Sequence, residues 1–170
     1  VRAVAEGRCQ AVVSAGSTGA AMAASLFGLG RIHGVSRPAI AVTIPTMTHP
    51  VVLIDGGANS DCTPEMLSQF AEMGCAYAKH IVGVEDPKVG ILSIGEEEGK
   101  GNALVKETYP LLKNMQEKGY INFVGNIEGK ELFINKCDVV VCDGFAGNVA
   151  LKVTEGTASM LLKMISKEFK

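Results

Sequence analysis

The sequence predicts an α/β fold in which a mostly parallel sheet carries helices on both faces. Five apolar runs rich in β-branched residues each end in a short polar loop that contains glycine. Segments with helical periodicity separate most of these runs, and strands that alternate with helices form parallel sheets. The chain has 170 residues, 47% of them hydrophobic, so we expect one α/β domain over residues 1–170. The five runs are residues 11–13, 51–54, 90–94, 121–124 and 139–142. The loops that follow them, in the same order, are residues 14–20, 55–59, 95–102, 125–129 and 143–148.

Composition argues against several classes of function. The net charge of −2 and the pI of about 5.9 do not indicate a nucleic-acid surface. The five cysteines form no CxxC pair, which indicates free thiols in a reducing cytoplasm. No apolar stretch is long enough to cross a bilayer, and no signal peptide opens the chain. Because the chain begins at Val1 and its final helix continues to Lys170, we expect it to be the central part of a longer chain, with the fold incomplete at both ends.

The first part of the chain predicts two strands with a helix between them. Residues 1–10 are typical of the end of a helix that leads into the strand at 11–13. Residues 18–29 predict a helix of small side chains that can pack closely on a sheet. A second strand at 39–44 ends at Pro45, because proline donates no hydrogen bond to a strand ladder.

The middle of the chain predicts a strand at 51–54, then a helix and another strand. Thr63-Pro64-Glu65 is a helix start, with a capping hydroxyl, a proline at the first helical position and an acid in the first turn. Apolar residues spaced three and four apart continue this helix until it ends near Gly83. A turn at Asp86-Pro87 then leads into the strand at 88–94.

The last part of the chain predicts three helices and two strands. The segment 103–116 is amphipathic, contains Pro110, which should kink it, and stops at Gly119. The elements that follow are a strand from residue 121, a short helix at 130–134, a strand at 139–142 and a long helix at 149–169.

The polar loops hold the candidate functional residues, because the carboxyl ends of parallel strands meet at one edge, where ligands bind. In the first loop, the amides of Gly16 and Gly19 and the hydroxyls of Ser17 and Thr18 suit a phosphate at a helix N-terminus. The alternative is a tight turn with a serine cap. The loop is not a Walker motif, and it lacks the third glycine of a dinucleotide fingerprint.

Asp55 and Asn59 place a carboxylate and an amide at a strand end. There they can cap the next helix, orient the loop or hold a donor in a binding site. No further carboxylates accompany Asp55 at a spacing that favours a metal. Lys100 follows three glutamates, which usually form a solvated face; the alternative is that one acid faces the cleft and transfers a proton.

Asn126, Asp143 and Asn148 repeat this pattern in the last two loops. Gly144 and Gly147 flank an aromatic residue and permit close approach of the backbone to a ligand. For Asn148 the alternative is capping of the long helix. The three histidines lie outside the five loops and suggest no catalytic triad.

Taken in order, the loop sequences resemble the PlsX family, the bacterial phosphate acyltransferases of phospholipid synthesis. The matching segments are VVSAGSTGA, RPA, LIDGGAN, IGEEEGKGN, FVGNIEG and VVVCDGFAGN. The chain is similar to about the middle half of a family member. It departs from the family at Ser17, where asparagine is usual, and at Gly57, where an aliphatic residue is usual.

The resemblance implies a three-layer α/β/α fold of the isocitrate/isopropylmalate dehydrogenase type. It also implies transfer of a long acyl chain from acyl carrier protein to inorganic phosphate, with no cofactor and no metal. Phosphate is then expected on Gly16, Ser17, Thr18 and Gly19, with Gly144 and Gly147. The residues expected to orient phosphate or the thioester carbonyl, or to add positive charge, are Asp55, Asn59, Lys100, Asn126, Asp143 and Asn148.

The same resemblance implies a cytoplasmic homodimer with peripheral contact at the inner face of the membrane, and a downstream glycerol-phosphate acyltransferase as a partner. The final helix has an apolar side with lysine neighbours, which fits core or dimer packing or a membrane surface. The alternative functions are a short-chain phosphate acyltransferase, a related dehydrogenase, or a non-catalytic module that binds phosphate or a nucleotide. The dehydrogenase would need clustered metal-binding aspartates, which the sequence does not show.

Overall fold

A computed structural model describes residues 1–169 of the protein and contains one five-stranded sheet. The strands are β1 (Ala41–Ile44), β2 (Val51–Ile54), β3 (Lys88–Ser93), β4 (Asn122–Glu128) and β5 (Val139–Val141). Their order across the sheet is β1-β2-β5-β3-β4. Only β1 runs antiparallel to its neighbour, and the other three pairs are parallel. The predicted α/β class with a mostly parallel sheet is therefore confirmed.

Helices lie on both faces of this sheet. The α-helices are α1 (Arg2–Ala5), α2 (Thr18–Leu29), α3 (Pro64–Tyr77), α4 (Ala103–Glu117) and α5 (Gly144–Glu168); a π-helical turn (Ala78–Val82) follows α3 and a 3₁₀ turn (Gly129–Phe133) follows β4. α3 and α4 cover one face in an apolar cluster centred on Phe70, Ile91 and Leu112. The 3₁₀ turn and the start of α5 cover the other face, around Leu53, Leu132 and Val140.

The start and end signals of α3 act as the sequence predicts. The Thr63 side chain accepts a hydrogen bond from the Met66 backbone N–H at 3.4 Å, and Pro64 occupies the first helical position. Gly83 closes the π-helical turn in the left-handed conformation, with φ of 88°. In the same way, Asn102 caps α4, which continues through Pro110 as one helix.

Two predicted loops belong to regular elements. Residues 125–128 continue β4, because an extra residue, Val124, bulges out of the pairing between Phe123 and Gly125. α5 begins at Gly144 and not at residue 149, because Asp143 caps it by accepting from the Ala146 N–H at 2.8 Å.

The predicted strand at 11–13 is wrong. Residues 11–15 form no regular element, and Val13 is 98% exposed. A strand needs a neighbour to satisfy its backbone groups. Within residues 1–169, the hydrogen bonds of residues 1–33 reach no further along the chain than Ser36, so this segment has no strand partner.

No helix within residues 1–169 combines the length and the apolar character that a membrane span requires.

Candidate active site

The carboxyl ends of β2, β3 and β5 lie side by side and bring several of the predicted residues together. The loop after β2 holds Asp55 and Asn59, and the N-terminal turns of α5 follow directly on β5. Phe145, on the first turn of α5, borders three adjoining depressions of about 410 to 460 Å³. This edge of the sheet is the candidate active site.

Asp55 organises the loop that follows β2. Its carboxylate is fully buried and accepts five hydrogen bonds. Oδ1 accepts from the backbone N–H groups of Ile40, Gly57 and Ala58 at 2.9 to 3.0 Å. Oδ2 accepts from the backbone and side-chain N–H of Asn59, both at 2.8 Å. Since both oxygens are engaged inside the protein, Asp55 positions the loop instead of touching a substrate.

Asn59 connects this loop with two other segments. Its Nδ2 donates to the Pro38 carbonyl oxygen at 2.8 Å as well as to Asp55. Its own carbonyl oxygen accepts the Gly144 N–H at 2.7 Å, so the loop is joined to the start of α5. These contacts make Asn59 a positioning residue for the protein's own loops, whereas the sequence predicts that it orients phosphate or the thioester carbonyl.

Gly144 and Gly147 serve packing, which corrects the predicted phosphate contact. A Cβ at Gly147 would lie 1.9 Å from the Asp55 carbonyl oxygen, and one at Gly144 would lie 2.7 Å from the Asn59 carbonyl oxygen. The Gly147 N–H donates to the Asp143 carbonyl within the helix at 3.0 Å, and the Gly144 N–H is held by Asn59. Neither amide is therefore free to bind phosphate.

Asn148 is exposed on the second turn of α5 and does not cap the helix, because Asp143 does. It lies against Gly57, where a Cβ would be 3.4 Å from the Asn148 Cγ. A depression of about 450 Å³ between the β2 loop and α5 is lined by Asn148, Ser60 and Lys152. Asn148 is thus accessible to a ligand, and its contact with phosphate or the carbonyl stays a prediction.

Asn126 holds the acidic loop between β3 and α4. The side chain is 2% exposed, and its Nδ2 donates to the Glu97 carbonyl oxygen at 2.6 Å. Its Oδ1 has no hydrogen-bond partner in the described part of the chain. Glu96 and Glu98 are exposed and pair with Lys136 and Lys113. The glutamates therefore form the solvated face that their spacing favours.

Lys100 is exposed on the same loop. Its ammonium group makes no ion pair with any residue between 1 and 169. Its stem lies against Gly95, where a Cβ would be 3.0 Å from the Lys100 Cγ. Among residues 1–169, this positive charge has no ion-pair partner, and it precedes Gly101 and Asn102, which line a depression of the site.

Two helix N-termini face the same depression. Asn102 caps α4, Asp143 caps α5, and both line the depression beside Phe145. The backbone N–H groups of Ala103 and Leu104 have no partner among the described residues. Free amides at the positive end of a helix suit an anion or a developing negative charge.

The loop Gly16–Ser17–Thr18–Gly19 stands apart from these residues. It is exposed and lines a separate depression of about 290 Å³, formed by residues 1 to 25 alone. Ser17 precedes α2, and its side chain makes no capping bond with any residue that the structure describes. The structure does not bring these residues to the other loops, and their contact with phosphate stays a prediction.

Neither the partly buried Cys62 nor the buried Cys137 and Cys142 are activated as nucleophiles. Burial raises the pKa of Cys62, which lies beside Asp55 and Asp143, to about 11, and that of Cys137 to about 12. Burial also raises the pKa of Cys142. All five thiols are free, as predicted, and Cys137 and Cys142 are core residues. Within residues 1–169, no group of three His, Cys, Asp or Glu side chains is arranged to hold a metal ion.

Sequence reasoning missed three residues at this edge. Ser93 and Phe145 line one depression and Lys152 another. Ser93 is a polar residue at the end of an apolar strand, and this position in the sequence could have indicated a site residue. Lys152 lies four residues after Asn148, a spacing that places both on one helix face only once α5 is known to begin at Gly144.

Comparison with known proteins identifies related sequences along the whole chain. The model of a family described as "Fatty acid synthesis protein" matches residues 1–170. A protein of Nitratidesulfovibrio vulgaris (strain DP4) named "Phosphate acyltransferase" is 53% identical over 167 residues, which are 98% of this chain and 48% of that protein. Proteins with the same name from Desulforamulus reducens and Halothermothrix orenii are 56% and 52% identical over 97% and 99% of the chain. The chain spans about half the length of these curated relatives.

A solved structure shares the fold. EutD phosphotransacetylase from Staphylococcus aureus superimposes with a TM-score of 0.60 at 18% sequence identity. The match covers 79% of this chain and 46% of that chain. At this identity the likeness establishes the architecture alone.

Proposed function

Because the chain belongs to the family described as fatty acid synthesis protein, we propose that the protein containing it is a phosphate acyltransferase. The substrates that we propose are a long-chain acyl thioester of acyl carrier protein and inorganic phosphate, and the product is an acyl phosphate. The observation that carries the proposal is the identity of 52 to 56% to curated phosphate acyltransferases over almost every residue of the chain.

In the proposed reaction, a phosphate oxygen attacks the thioester carbonyl carbon. A C–O bond forms, and the carbonyl oxygen becomes an oxyanion. The C–S bond then breaks, sulfur leaves with the electron pair, and the thiolate takes up a proton. The products are acyl phosphate and the free thiol of the carrier. Such a reaction is accelerated by holding the two substrates together and by donors directed at the oxyanion.

The site offers groups for both tasks. The exposed Lys100 ammonium would attract the phosphate dianion, and the free amides of Ala103 and Leu104 would stabilise negative charge. Asn148 would donate to phosphate or to the carbonyl. We assign Asp55, Asn59 and Asn126 to positioning, and Asp143 to capping α5 beside the reacting groups.

Gly16, Ser17, Thr18 and Gly19 remain our proposal for a second set of phosphate ligands. Their support is the pattern of two glycines and two hydroxyls at the start of α2. In the present arrangement they lie apart from Lys100 and Asn148. Their participation requires that α2 approach the carboxyl edge of the sheet.

We propose a homodimer in the cytoplasm, with peripheral contact at the inner face of the membrane and a downstream glycerol-phosphate acyltransferase. The support is the far half of α5, which is exposed and does not enter the core of its own chain. Its exposed apolar residues are Met160, Leu161, Leu162, Met164 and Ile165. Lys163 and Lys167 lie among them, so this surface suits a second subunit or an anionic lipid surface.

The test is release of free thiol from palmitoyl carrier protein by the natural full-length protein that contains this chain. We expect release only when phosphate is present. Faster release from acetyl than from palmitoyl thioesters would indicate a short-chain phosphate acyltransferase. Phosphate binding without release from any thioester would indicate a non-catalytic module and would contradict the proposal.

A further inference from the structure

A mainly apolar cavity of about 460 Å³ lies at the carboxyl edge of the sheet, between the end of β3, the start of α4 and the first two turns of α5. Leu67 and Val105, both nearly fully buried, line it from the α3 and α4 side. Phe145 and Val149 line it from α5. Cavities of this size and character are those that proteins use for small apolar ligands.

One end of the cavity is polar. Ser93 lines it, and the Ser93 hydroxyl is buried without a hydrogen-bond partner in the part of the chain that the structure describes. Asn102 and Asp143, the caps of α4 and α5, border the same end. A buried hydroxyl without a partner costs free energy, which a ligand oxygen can recover by accepting its hydrogen.

We infer that this cavity receives the alkyl chain of the acyl donor, with the thioester carbonyl near Ser93. The inference rests on the proposed function and adds to it the place of the acyl chain and the residues that limit its length. An apolar space with the Ser93 hydroxyl and the side chains of Asn102 and Asp143 at one end fits an alkyl chain attached to a carbonyl. It opens beside the free amides of α4, so the carbonyl would lie close to the proposed phosphate.

Ala150 provides the test of chain length. It lines the cavity on α5, so Ala150→Leu should shorten the space for the alkyl chain. We expect kcat/KM for palmitoyl carrier protein to fall about tenfold or more while the value for an octanoyl donor changes less than about twofold. The KM for phosphate should be unchanged. Ala76→Leu, at an exposed position on α3 that does not line the cavity, is the matched control and should alter neither value.

A labelling experiment decides the location without relying on turnover. The natural full-length protein is irradiated with a palmitoyl thioester that carries a diazirine on its alkyl chain, and labelled residues are mapped by mass spectrometry. We expect labels within residues 92–105 and 142–150, reduced in the Ala150→Leu variant. Labels confined to residues 153–169, or an equal loss of palmitoyl and octanoyl transfer in that variant, would overturn the inference. If the protein releases no thiol but labels at the cavity, the proposed function fails and the binding site stands.

Discussion

At the scale of single residues, the site depends on side chains that bind the protein's own backbone. Asp55 accepts five N–H bonds and Asn126 holds the Glu97 carbonyl, so the loops after β2 and β3 are each held by one side chain. Such polar residues resemble catalytic groups in a sequence, because an active site uses the same residue types. Burial of the side chain distinguishes a residue that positions the protein backbone from one that can contact a substrate.

The change Asp55→Asn should destabilise the protein. The amide group would replace an acceptor by a donor that faces the N–H groups of the loop, leaving buried donors unpaired at a cost of about 1–3 kcal/mol each. We expect a lower midpoint of urea unfolding, monitored by circular dichroism. Asp61→Asn is the control, because Asp61 is exposed. Equal stability of the two variants would contradict the positioning role.

Glu131 makes stability depend on pH. The hydrogen bond from Lys136 at 2.7 Å, helped by the Glu128 N–H, holds the pKa of Glu131 below its usual value of 4.5. A carboxyl with a lowered pKa stabilises the fold above the unfolded value, and this stabilisation is lost as pH falls through the folded value.

Comparison with Glu131→Gln isolates this effect. The free energy of unfolding of the native protein should exceed that of the variant at pH 7, and the difference should shrink below about pH 4.5. Glu107→Gln, at an exposed position, should show no such convergence. A difference that stays constant from pH 7 to pH 3 would exclude the ion pair as its cause.

At the scale of elements, the docking of α5 on the β2 loop is the contact that fixes the site. Gly144 and Gly147 bring the helix backbone against the backbone of Asp55 and Asn59, without side chains between them. This contact also explains why the start of α5 was predicted as a loop. Two glycines lower the helix propensity of this segment. They also let the helix backbone pack directly on the loop after β2, and this packing offsets the low propensity.

The pair Gly147→Ala and Gly156→Ala tests this docking. At Gly147 the new methyl group would collide with the Asp55 carbonyl, and we expect a loss of about 3 kcal/mol or more in the free energy of unfolding. Gly156 lies on the same helix with open space around it, so alanine there should stabilise by about 0.5–1 kcal/mol. Similar effects at the two positions, measured by thermal unfolding, would disprove the tight contact.

At the scale of the whole molecule, the sequence predicted the helix ends and strands that are determined by residues close together in the chain. The cap at Thr63, the stop at Gly83 and the strands at 51–54 and 88–94 follow from propensity and periodicity, and the structure has them within a residue or two. The bulge at Val124 and the packing role of Gly147 could not be predicted, because each is set by a neighbour distant in sequence. The prediction of a strand at 11–13 was wrong because a strand also depends on a distant neighbour, and residues 11–13 have no such partner within residues 1–169.

The proposed homodimer gives a prediction for the assembled protein. Leu162 is 65% exposed on α5, so Leu162→Glu should leave folding intact and reduce the dimer fraction measured by light scattering. Ile81→Glu, at a similarly exposed residue on the π-helical turn, is the control and should leave the mass unchanged. A stable dimer in the Leu162→Glu variant would contradict this prediction and show that the interface does not include this part of α5.

The contact of Gly144 and Gly147 with the loop after β2 holds one end of α5, so a small tilt at this end moves the other end by a larger distance. Its 25 residues span about 37 Å, and the first two turns rest directly on the loop held by Asp55. A tilt of about 5° at that base would displace the far end by about 3 Å. A small movement of the site loop would therefore produce a larger displacement at the surface where we propose that a second subunit or a membrane binds.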